Sequence, residues 1–239
     1  PYIDLEQEPF DVYSGPKRTA RFTRQSYNLG FDMGIEISTI GEIRIGVFRG
    51  YRGFDLDTGP VELQDSDTSV KTAGSRIRLA IDQLDSRKLP RSGYAVSLNI
   101  LKSNSELGAQ DSYTRWDTSF TSAFSLGTHT LQVALRAGDH SADNNLPDYD
   151  LFQLGGFLKL SGLQNGQLLG RSYKFGRLVY GHQITKLPLL QGVFGGFSLE
   201  AGQVDNPLIE SNTSGLIRAA SVFLATDTPI GPVYLGLGH

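Results

Sequence analysis

Glu200 is the residue from which a chemical argument can start. In the run 193–202, Val193, Gly195, Phe197, Leu199 and Ala201 fall on one parity, and Phe194, Gly196, Ser198, Glu200 and Gly202 on the other. The first parity is apolar; the second sets a single carboxylate among mostly small residues. In a barrel strand that second parity faces the interior. A carboxylate there requires a partner. The glycine-rich stretch 151–162, with Gly155, Gly156, Ser161 and Gly162, is too irregular for a strand, and it is the expected source of that partner, as a loop folded back into the lumen.

Other residues that could do chemistry read more plainly. Asp82 and Asp85 have the spacing of an acid/base pair, but Pro90 and Gly93 follow them, and in that company short carboxylates cap turns. His129, His140, His182 and His239 are dispersed without ligand spacing, so no metal site is expected. His182 shares a parity with Tyr180 and Ile184 and reads as structural. The chain has no cysteine, which excludes disulfides, thiol catalysis and thiolate metal sites. The nearest approach to a Gly-x-Ser-x-Gly nucleophile turn begins at Gly196 and carries Glu200 where the second glycine belongs. No catalytic residue and no cofactor are expected.

The elements that must position Glu200 are strands. Of 239 residues, 39% are hydrophobic and 28 are glycine, and the net charge of -3 is scattered. No run approaches the roughly 18 consecutive apolar residues of a membrane helix, whereas strands with one apolar face each remain open. A basic footprint for nucleic acid is absent. Length fits one all-β domain. The chain starts at Pro1 without a basic-then-apolar leader, so it reads as mature or as part of something longer.

Residues 1–16, with Asp4, Glu6, Glu8, Asp11 and three prolines, read as a connecting segment or partial strand, leaving 17–239 for the barrel and about 151–170 for the inward loop. Segments 27–37 and 41–48 form an expected hairpin, with Ile43, Ile45 and Val47 opposite Glu42, Arg44 and Gly46. Residues 55–67 read as a loop. Ile77, Leu79 and Ile81 alternate with Arg76, Arg78 and Asp82; further strands are expected at 94–100, 113–126 and 130–137, where Arg136 points inward. A polar loop at 138–147 precedes the glycine-rich stretch, and strands follow at 171–184, 193–204, 216–225 and 232–237.

This makes roughly a dozen strands, mostly near or above the 9 to 11 residues that cross a membrane at a tilt, against 5 to 6 in soluble domains. The fold class expected is all-β, an antiparallel transmembrane β-barrel, although a soluble sandwich shows the same alternation. Arg44, Arg76, Arg78 and Arg136 would then line the lumen. Tyr94, Trp116, Tyr173 and Phe175 are candidates for the aromatic belt, or for core residues of a sandwich.

Four pieces carry a resemblance. They are Asp82, Gln83, Leu84 and Asp85 with Pro90 and Gly93; Leu154, Gly155 and Gly156 through Leu160, Ser161 and Gly162; the run 197–202 around Glu200 and Gly202; and the run 228–236. In this order they resemble the C-terminal barrel of the bacterial outer-membrane insertase and translocator superfamily, the bacterial surface antigen family. Within it they look most like the barrel of patatin-like phospholipase autotransporters. The resemblance implies a sixteen-stranded outer-membrane barrel preceded by a periplasmic domain and, in this branch, by a secreted lipase. The function it implies is translocation or anchoring of that N-terminal passenger, as in type V secretion. Any lipase activity would lie upstream of this chain. An insertase, a passive pore and a soluble all-β binding module are the alternatives.

Two departures matter. Ser161 stands where the family carries an arginine that docks on the carboxylate matched by Glu200, so the contact implied here is a hydrogen bond, with Arg171 or Lys159 as the alternative cation. The usual last strand, with its terminal aromatic, is also missing. Strands therefore fall short at both ends, and closure of the wall would need further residues or another chain. The partners implied are outer-membrane lipid and the chain's own passenger and periplasmic domain, with a second copy in a homodimer as an open alternative; nucleic acid is not among them.

Overall fold

Period-two alternation runs far enough in each segment to pair almost the whole chain into one antiparallel sheet. The computed structural model describes residues 1–60, 69–86, 89–141, 150–187, 190–207, 215–228 and 231–239. The strands are β1 (Tyr2–Ser14), β2 (Lys17–Ile37), β3 (Gly41–Thr58), β4 (Val70–Asp82), β5 (Gly93–Ser103), β6 (Tyr113–Leu126), β7 (His129–Ser141), β8 (Phe152–Leu154), β9 (Leu168–Leu187), β10 (Leu190–Pro207), β11 (Ile217–Thr228) and β12 (Gly231–Gly238). They form a 12-stranded sheet in sequence order, except that the three-residue β8 pairs β9 off the main path. β1 and β12 are the two edges, and no pairing between them is seen among the described residues.

The two faces are inverted relative to a soluble sandwich. Ile35 (75% exposed), Met33, Leu29, Ile45, Leu199 and Leu237 all point outward into the surroundings. Ser198, Glu200, Phe175 and Phe223 lie on the inner parity and are buried. A face this apolar, continuous across β2, β3, β10 and β12, is suited to lipid. That arrangement decides against the soluble binding module. β2 has 21 residues and β9 has 20, well beyond what a tilted crossing needs.

Of the two expectations for residues 1–16, a connector or a partial strand, the structure has a strand, β1. β1 pairs with β2 along its whole length, from Tyr2 opposite Gly30 to Ser14 opposite Lys17. Its acidic residues alternate with outward Ile3 and Leu5, and Asp11 and Glu8 find Arg21 (2.8 Å) and Arg24 (2.6 Å) on β2. Pro9 is tolerated because β1 is an edge and needs no second ladder of hydrogen bonds. β3 likewise extends through 55–58, and β7 through 138–141, into stretches read as loop. The remainder of those two loops, at 61–67 and 142–147, lies outside the described residues. Of the aromatic-belt candidates, Tyr94 and Trp116 face outward, but Phe175 is a buried inner residue with Tyr173 packed against the same core.

Candidate functional site

Glu200 sits on β10 opposite Arg177 of β9 and Ala219 of β11, 4% exposed on the inner face. Nothing on its own strand but Ser198 reaches it; the other donors come from the segment between β8 and β9. The Leu160 and Ser161 amides donate to Oε2 at 2.7 and 2.6 Å, and the Ser161 hydroxyl donates to Oε1 at 2.9 Å. Ser198 adds its hydroxyl at 2.6 Å and is itself tied to Ser221 at 2.7 Å. The carboxylate thus accepts four hydrogen bonds while out of water. Satisfied in this way, a buried charge is tolerable.

The loop can present consecutive amides because its backbone repeatedly turns left-handed. Gly155, Gly156 and Gly162 have φ of 128°, 110° and 101°, and Leu158 and Leu160, without a glycine's freedom, have 58° and 78°. Successive N–H groups then converge in a concave nest, which binds anions. The leucines are held in this conformation by packing: Leu160 is fully buried with Leu154, Leu168 and Phe175, and Gly202 leaves room for Leu154. Phe157 packs edge-on against Phe223 (6.1 Å) and Tyr234 (5.7 Å), carrying the loop tip onto β11 and β12.

Among the described residues no cation is seen in an ion pair with Glu200, although Arg177 lies opposite it on β9, near enough for the two charges to act on each other. Arg171 is the correction: it lies on β9 six residues before Arg177, roughly 20 Å along the strand. Its carbonyl accepts from His140 Nδ1 at 2.9 Å instead. Lys159 also makes no ion pair with Glu200; burial and the nearby guanidinium groups of Arg136 and Arg177 hold its ammonium below the usual lysine range. Arg177 donates to the Leu158 carbonyl at 2.9 Å and so grips the loop directly.

A second anchor, unread in the sequence, holds the start of the same loop. Asp150, 2% exposed, accepts from Arg52 (3.0 Å), Arg115 (3.2 Å) and Tyr113 (2.8 Å), with His140 Nε2 at 3.7 Å. Burial alone would raise the Asp150 carboxyl, but His140, Arg115, Arg52 and Tyr113 outweigh it and hold the group below the usual range. Phe152 stacks under Arg115 at 4.4 Å. Arg52 is 98 residues from Asp150 in the chain, and no local spacing signals the pair.

The other predicted residues form separate structures. Arg76 and Arg78 of β4 both reach Asp32 of β2 across Gly46 of β3, Arg76 at 3.0 Å. Arg44, in register with Arg78, pairs with Glu42 at 2.7 Å. Asp85 caps its turn, accepting from the Arg91 and Ser92 amides at 2.9 and 3.1 Å, and Asp82 accepts from Leu84 at 3.3 Å. A Cβ at Gly93 would lie 1.9 Å from the Gln83 carbonyl oxygen, and the Pro90 carbonyl accepts from Gln132 at 2.8 Å. These are turn roles, and Pro90 with Arg136 lines a cavity of about 280 Å³ in the lumen.

The model of the Omp85 superfamily domain matches residues 4–235. Among solved structures, BamA from Haemophilus ducreyi lacking POTRA domains 1–3 is similar over 98% of this chain and 54% of its own, with a TM-score of 0.76 and 14% identity. CdiB from Escherichia coli is similar over 92% of this chain and 42% of its own, with a TM-score of 0.61 at 14% identity. CdiB from Acinetobacter baumannii gives 0.54 over 92% and 43%, again at 14%. The chain spans about half the length of these structures or less, and at such identities the likeness bears on the fold. No curated protein sequence matches. The family match covers nearly the whole chain and agrees with an outward apolar face and a loop docked inside; the chain belongs to the Omp85 superfamily of bacterial outer-membrane β-barrels.

Proposed function

We propose that this chain is the membrane-embedded translocator of a longer protein, holding and passing an N-terminal passenger across the outer membrane. The observation that carries this reading is the loop bound in the lumen by its backbone amides on Glu200. A polar clamp of this kind closes the path at rest and can be exchanged for water when cargo enters, which a plug sealed only by apolar packing cannot do as cheaply. A passive pore calls for an unobstructed lumen, and the docked loop argues against it. The barrel carries out no bond chemistry in this reading. A patatin-like lipase as passenger rests on the motifs at 154–162 and 197–202. The likeness to BamA favours insertion of other barrels as the second reading.

The test uses the full-length gene in its own cells. Protease shaving of intact cells is expected to release the upstream domain from the surface when the barrel is native, and several-fold less when Glu200→Ala is present in a barrel that still migrates as a folded species without boiling. Surface exposure of the upstream domain in cells lacking the barrel would sink the translocator reading. A general loss of other outer-membrane barrels on depletion would replace it with the insertase.

A further inference from the structure

The lumen cavity of about 280 Å³ lies between the turn bearing Leu84 and Leu89 and the docked loop at Leu158. Its wall is of two kinds. Val179, Phe194 and Phe223 supply buried apolar surface, whereas Arg136 and Arg177 supply guanidinium groups. Ala134 is in register with Arg177, so Arg136, two residues on, is its diagonal neighbour on the same face, roughly 7 Å away. Arg91, at the rim, is the third cation of the lining.

The neighbouring anions do not balance this cluster. Glu200 is opposite Arg177, but both of its oxygens are occupied by loop donors and Ser198. Asp227 on β11 is the other carboxylate near this wall, acting with Arg177 on Tyr234. Arg91, Arg136 and Arg177 in the lining against these two carboxylates leave a surplus of one positive charge. The Nε atoms of Arg136 and Arg177 are buried and have no hydrogen-bond partner. A buried donor without an acceptor is costly.

We propose that this cavity binds a small anionic amphiphile, a single carboxylate or phosphate on a short apolar chain, with its head between Arg136 and Arg177 and its chain against Val179, Phe194 and Phe223. A free inorganic ion would satisfy the charge and leave the apolar wall unused. The cavity is close to the lower limit of small-molecule sites. The site is independent of which cargo the barrel serves, so its test does not depend on the translocator reading.

Full-length protein in lipid nanodiscs, which avoid micelles competing for the probe, would be titrated calorimetrically with sodium hexanoate, hexyl phosphate, acetate and chloride. One of the six-carbon probes is expected to saturate at one per barrel, and the tighter of the two identifies the head group. Arg136→Gln is expected to weaken it about tenfold, the worth of one charged hydrogen bond. Arg218→Gln, on the exposed outward face of β11, should leave it unchanged. Heat-shifted gel mobility of each variant reports that the barrel is folded. Equal binding of acetate or chloride would mean an adventitious ion only and would overturn the proposal. So would the absence of saturable binding to folded native protein.

Discussion

Two of the four hydrogen bonds at Glu200 come from backbone amides, which no substitution in the loop except proline removes. The carboxylate is therefore the vulnerable partner. Glu200→Ala leaves two amides and the hydroxyls of Ser161 and Ser198 without their acceptor, and is expected to destabilise the folded barrel by about 2–4 kcal/mol. The urea midpoint of the heat-modifiable band measures this. Glu200→Gln should cost less, because one oxygen can still face the amides while its NH2 group opposes the hydroxyls. Asp150 has a different signature. Its carboxyl is held below the usual range despite burial, through His140, Arg115, Arg52 and Tyr113. A depressed folded value means that its stabilisation is complete above the unfolded value, about pH 4, and fades as pH falls through the lower folded value. Protease cutting within the loop should accordingly rise on acidification below pH 4 and lose that dependence in Asp150→Asn. An unchanged acid profile in the variant would remove Asp150 from the role.

Within the sheet, Gly46 shows how one missing side chain makes room for a charge network. It sits on β3 between Asp32 of β2 and Arg76 of β4, and a Cβ there would lie 1.8 Å from the Asp32 Oδ1. The Asp32 carboxylate crosses over β3 through this gap to reach Arg76 and Arg78, joining three strands by side chains as well as by the backbone ladder. Gly46→Ala is expected to push Asp32 aside and cost about 1–3 kcal/mol, read as a lowered unfolding midpoint. In an Asp32→Ala background the same change should cost less, since the side-chain clash and the ion pairs are gone and only the Phe31 carbonyl oxygen, 2.7 Å from the added Cβ, still has to shift. An equal cost in both backgrounds would assign the effect to the backbone of β3.

On the scale of the molecule, the loop and the wall act as one unit. Phe157, Leu160 and Ser161 tie the loop to β9, β10, β11 and β12, and Asp150 ties its start to β3, β6 and β7. Deleting 155–166 from the full-length protein removes the nest and the tip while leaving Asp150 in place. Planar-bilayer conductance is expected to rise at least several-fold over the native protein. Equal conductance would show that the loop does not close the path.

The sequence by itself determined the fold class, because a period of two repeated over long segments leaves few alternatives, and it singled out Glu200 as the inward carboxylate and 151–162 as the stretch that meets it. Strand limits were legible wherever apolar residues marked one face, and were lost at β1, where acidic residues and Pro9 hid an edge strand whose partner lies in β2. The chemistry of the contact was decided only in three dimensions. Ser161 suggested a side-chain bond, but the main donors are amides aligned by left-handed Leu158 and Leu160, a conformation that packing of Leu160 enforces and that no leucine codon announces. Asp150 was illegible for the same reason: its partners come from β3, β6 and β7, and only the folding of the sheet about the loop brings them within hydrogen-bond reach.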